Sequence, residues 1–60
     1  MEADVAYFSR RASEERALAP LAADARVRQT HLELAARYQD FATAIQARDR
    51  FLGLDLDAAA

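Results

Sequence analysis

The sequence predicts an all-α protein built as an antiparallel two-helix hairpin that dimerises into a four-helix bundle. Three observations carry this expectation. The 60-residue chain is rich in alanine with one glycine and one proline. Apolar residues recur at steps of three and four on both sides of Pro20, and that proline stands between the two periodic runs.

Helix 1 is expected over about residues 4–19. Its apolar positions Val5, Phe8, Ala12 and Ala19 return to one face, interrupted by Glu15, while Glu2 and Asp4 suit the positive end of the helix dipole. Pro20 lacks a backbone donor and crowds the preceding turn, so the helix should end near Leu18 or continue only with a kink, and the chain should reverse around residues 21–24. Asp24 is a good N-cap for helix 2, expected over about residues 25–52. Val27, His31, Leu34, Tyr38, Phe41, Ile45, Arg48 and Leu52 alternate steps of four and three, which is a heptad seam. Gly53 stands where a left-handed C-terminal cap is common. Residues 1–53 are thus expected to form one hairpin domain, and residues 54–60 a flexible tail.

Folding the helices back about residue 23 pairs seam positions whose numbers sum to about 46. Val5 meets Phe41, Phe8 meets Tyr38, Ala12 meets Leu34, Glu15 meets His31 and Ala19 meets Val27. Both seams share this register without being forced to, which supports the hairpin. The polar residues Glu15 and His31 then form a buried polar layer. A carboxylate favours a protonated imidazole while desolvation opposes it, so the pair reads either as a register-fixing layer or as the centre of a pH- or metal-responsive oligomer.

So short a chain buries only about 60% of the surface of its unfolded form, and without cysteine it has no disulfide to compensate. Association is the usual remedy. Tyr7, Leu18, Leu21, Leu32, Ile45, Phe51 and Leu52 are expected to form an interaction surface, because a hairpin has no second layer to cover them. The small residues Ala35, Ala36 and Ala42 are expected to let another helix approach. A homo-oligomer, a dimer first, is the partner this implies, with a further protein partner as an extension.

The remaining chemistry classes find little support. There is no thiol, one histidine and no glycine-rich phosphate loop, so no enzyme activity, cofactor or metal site is expected. A formal charge of −2 removes the diffuse attraction to nucleic acid. The candidate RNA-binding residues are a local strip of Arg10, Arg11 and Arg37 beside Tyr7, interleaved with Glu14, Glu33 and Asp40. Arg10-Arg11-Ala12-Ser13 has the general form of a basic kinase site, but Arg10 lies one helical turn before Glu14, as on a solvated face. The acidic opening residues and the lack of a long apolar run point to a cytoplasmic protein without a membrane span.

Tyr7-Phe8, Arg10-Arg11-Ala12 and Glu15, followed by His31-Leu32, Leu34-Ala35 and Arg37-Tyr38, make a pattern over residues 5–42 that resembles short uncharacterised helical-hairpin proteins of α-proteobacteria. That resemblance implies a bacterial source and a compact hairpin, and brings no activity with it. All eight basic residues are arginine, which fits a GC-rich bacterial genome. In shape alone the chain is similar to the Rop-type RNA-binding hairpins, which dimerise into four-helix bundles. The expectation is therefore a small interaction module acting as adaptor, regulator or subunit through self-association and an apolar helix face. A Rop-like RNA-binding dimer and a Glu15–His31 switch are its alternatives.

Overall fold

The computed structural model describes the backbone of residues 3–59 and the side chains of residues 3–53. The chain forms helix α1 (Asp4–Leu18), a 3-10 turn (Ala19–Leu21) and helix α2 (Ala25–Ala59), with no strand among the described residues. The antiparallel hairpin is as the sequence predicts. No helix among the described residues is long and apolar enough to cross a membrane.

Local chemistry explains both ends of the turn. Pro20 lies in the first residues of the 3-10 segment, where its missing donor costs nothing, and Ala22 swings to an extended conformation that breaks the helical path. The Ala22 amide donates to Ala19 O at 3.2 Å, and Arg28 Nη2 donates to Ala22 O at 3.4 Å, so both polar groups of Ala22 find partners in the reversal. Asp24 then caps α2 as predicted: its Oδ1 accepts from the amides of Arg26 at 2.6 Å and Val27 at 3.4 Å. At the start of α1, Ala3 makes no side-chain cap, and Asp4 supplies a negative charge in the first turn.

The seam between the helices is narrower than the sequence reading placed it. Its buried centre consists of Ala12, Glu15 and Ala19 on α1 and Ala35 and Ala42 on α2, and among the described residues no large side chain is fully buried. His31, Leu34, Tyr38 and Ile45 are half-buried beside it. Ala35 and Ala42, expected with Ala36 to admit a further helix, instead line the hairpin's own interface, while Ala36 is exposed. Conversely, Val27 and Phe41, expected within the seam, are 47% and 53% exposed. The reason is geometric: methyl side chains on the centre line let two helix axes approach, whereas a Phe or Val there would hold them apart and so turns to the flank.

Helix α2 has 35 residues and α1 has 15, so at about 1.5 Å per residue α2 runs roughly 30 Å further. The Cα atoms span 55 × 21 × 11 Å, a plate one helix thick. Two expectations change at the overhanging end. Arg48 is not a seam residue but an exposed one, paired with Asp49 at 3.3 Å. The helix does not stop at Gly53: α2 continues to Ala59, and no glycine has positive φ. The remainder of the tail expectation concerns the side chains of residues 54–60, which lie outside the described residues.

A right-handed helical backbone at Gly53 with open space around its missing Cβ makes a specific prediction. Gly53→Ala is expected to raise helix content by circular dichroism and to stabilise the chain by up to about 1 kcal/mol in urea titration. A left-handed cap at this position would give a loss of stability instead.

Candidate functional site

The seam's one buried charged residue anchors the first candidate site. Glu15 projects from the last turn of α1, between Ala12 and Ala19 on the seam, and is 4% exposed. Its Oε1 lies 2.9 Å from His31 Nδ1 on α2, and its Oε2 accepts from Arg11 Nη2 at 3.4 Å, one turn back on α1. The predicted Glu15–His31 layer is therefore present, in the predicted register. With the carboxylate ionised it can only accept, so the imidazole hydrogen sits on Nδ1. Among the described residues no buried side-chain nitrogen or oxygen lacks a hydrogen-bond partner, and no three His, Cys, Asp or Glu side chains gather as a metal site would require. What this arrangement does chemically is penalise misregister, since sliding one helix by a turn would leave a desolvated carboxylate without its imidazole.

The candidate RNA-binding arginines are engaged within the hairpin. Arg10 and Arg11 both donate to Glu14, and Arg11 also reaches Glu15. Each guanidinium also lies over an aromatic ring: Arg10 is 5.4 Å from the Tyr7 centroid and Arg11 is 5.2 Å from that of Tyr38. Hydrogen bonds from Arg10 and then Arg11 hold the Glu14 carboxyl below its ordinary value, and Glu14 followed by Tyr38 raises Arg11 further still. Arg37 is exposed on α2. The spacing of three between Tyr7 and Arg10 on one helix is a readable signal for the first stack, whereas Arg11 over Tyr38 joins the two helices and follows only from their register.

The second candidate is apolar. Phe8 gathers an aromatic cluster at the open end of the hairpin, 5.2 Å from Tyr7, 6.1 Å from Tyr38 and 5.2 Å from Phe41 between ring centroids. Such pairs contribute about 0.5–1.5 kcal/mol each beyond their burial. Of the predicted interaction residues, Tyr7, Leu18, Leu21, Leu32, Phe51 and Leu52 are all exposed, Leu21 at 79% the most so, and Ile45 is half-buried. They do not make one patch: Leu21 sits on the turn, Phe51 and Leu52 lie on the overhang, and Leu32 is on α2 well away from the aromatic cluster in register. Phe41 and Val27 belong with the exposed set and were missed. Choosing the alanine heptad Ala35 and Ala42 as the centre line would have displaced both to the flank.

The Glu14 cluster fixes a pH response. A carboxyl whose folded value is depressed contributes stability that is present above its ordinary value of 4.5 and is lost as pH falls through the folded value. Melting temperature is therefore expected to fall on acidification below about pH 4.5, less steeply for Glu14→Gln than for the parent chain. Molar salt should narrow the difference, because the group is exposed and screened. Identical acid limbs in low salt would remove Arg10 and Arg11 as its stabilising partners.

Comparisons with family models, with curated proteins and with solved structures return no match to this chain.

Proposed function

We propose that this chain is a small protein-protein interaction module, an adaptor, regulator or subunit, that self-associates as a homodimer forming a four-helix bundle. One quantity carries the reading. The chain exposes 4708 Å². A compact folded monomer of 6.7 kDa exposes about 3900 Å². The excess of roughly 800 Å² is what one partner contributes to a standard protein-protein interface. A single-layer hairpin in which α2 runs well past α1 exposes more than a compact monomer does, and Tyr7, Leu18, Leu32, Phe41 and Phe51 are among the large apolar side chains it leaves in contact with water.

The alternatives draw less from the same geometry. A Rop-like RNA-binding dimer would use Arg10, Arg11 and Arg37, two of which already share the Glu14 carboxylate and stack on tyrosines. A pH- or metal-responsive oligomer would use Glu15 and His31, whose contacts fit a register layer. A cytoplasmic, bacterial setting belongs to the same proposal.

Sedimentation equilibrium at micromolar concentration is expected to give twice the 6.7 kDa chain mass, with a melting temperature that rises with protein concentration by mass action. A single 6.7 kDa species with a concentration-independent melting temperature overturns the proposal.

A further inference from the structure

The hydrogen bond between Glu15 and His31 gives the two imidazole nitrogens different roles. Glu15 is 4% exposed, its Oε2 accepts from Arg11 at 3.4 Å, and its Oε1 lies 2.9 Å from His31 Nδ1. The ionised carboxylate thus holds the imidazole hydrogen on Nδ1 and leaves a lone pair on Nε2. Nε2 takes part in no hydrogen bond, yet no buried side-chain nitrogen or oxygen among the described residues lacks a partner. Nε2 therefore reaches the surface, as the 25% exposure of the His31 side chain allows. The result is a nitrogen base of one tautomer, held from behind by a buried carboxylate and open to solvent in front.

The neighbours of His31 on α2 decide which electrophile suits that base. Residues three and four positions away share its strip of the helix, and these are Val27, Arg28, Leu34 and Ala35. Arg28 is the ion among them. Its Nη2 donates to the Ala22 carbonyl at 3.4 Å and no carboxylate among the described residues pairs with it, so its charge is uncompensated. A cation beside the base disfavours a metal ion and favours an anionic electrophile that a guanidinium can hold. We propose that His31 Nε2 is a phosphoryl acceptor, taking the group from a small acyl phosphate or phosphoramidate, with Glu15 as positioning residue and Arg28 as the phosphate contact. The Nε2 lone pair forms the new N–P bond as the bond from phosphorus to the donor's leaving group breaks, and the leaving group departs with that electron pair. Nδ1 keeps its proton, and the positive charge that develops on the ring is met by the Glu15 carboxylate.

The test treats the folded chain with phosphoramidate, which is anionic, and separately with diethyl pyrocarbonate, which is neutral and acylates imidazole nitrogen. Phosphoramidate is expected to place one phosphoryl group on His31, as the Nε2 isomer by phosphorus NMR, severalfold faster than on the chain unfolded in urea. Glu15→Gln keeps an acceptor but not the charge, so it should slow both reagents severalfold and let the Nδ1 isomer appear. Arg28→Gln should slow phosphoramidate severalfold and leave diethyl pyrocarbonate unchanged. Circular dichroism checks that each variant keeps its helices. A folded parent chain that reacts no faster than the unfolded one, or that yields both isomers, overturns the oriented nucleophile, and this comparison needs no variant. An equal response of the two reagents to Arg28→Gln overturns the preference for a phosphoryl donor.

Discussion

The contact between Glu15 and His31 constrains everything else in this hairpin. A seam lined by Ala12, Ala19, Ala35 and Ala42 packs closely but specifies little, because alanines offer nearly the same surface at every turn. A carboxylate buried among them changes that. Its Oε1 meets the His31 imidazole at 2.9 Å in this register and would lose that partner in the others, keeping only Arg11 of its own helix. The polar layer therefore selects the alignment that brings Phe8 beside Tyr38 and Phe41, and the aromatic cluster in turn closes the open end of the hairpin.

The same economy of bulk along the seam has a consequence on the outside. Small side chains hold the helices together at close range, and this displaces Phe41 and Val27 to the flanks, where they meet water. The hairpin thus stabilises its register at the expense of apolar burial. A chain of this size has little to spare, since net stability is a small difference between burial and conformational entropy. Under the self-association proposed above, a second copy would supply the missing burial without any new element.

Much of this was legible from residue order. Pro20 and Asp24 located the turn because their effects are local: one removes a donor and the other supplies an acceptor. The register was legible because Glu15 and His31 are polar residues at matching depth in two apolar runs. Less legible was which of two neighbouring strips forms the centre line. Hydrophobicity ranks Phe41 above Ala42, but close helix packing ranks them the other way, and the second criterion prevails. Gly53 shows the limit of a residue preference: glycine permits a left-handed cap but does not impose one, and with Leu52 before it and no proline after it the helix continues. The stacking of Arg11 on Tyr38 was not legible because it joins two helices and depends on their final approach.

The account turns on the energetic link between Glu15 and His31, which a double-mutant cycle measures directly. Stability by urea titration of the parent chain, Glu15→Ala, His31→Ala and the double variant should give a favourable coupling of about 1 kcal/mol or more. The Glu15→Ala loss should also be smaller when His31 is already absent. A coupling indistinguishable from zero would mean that the two side chains act independently, and that something other than this layer sets the alignment of the helices.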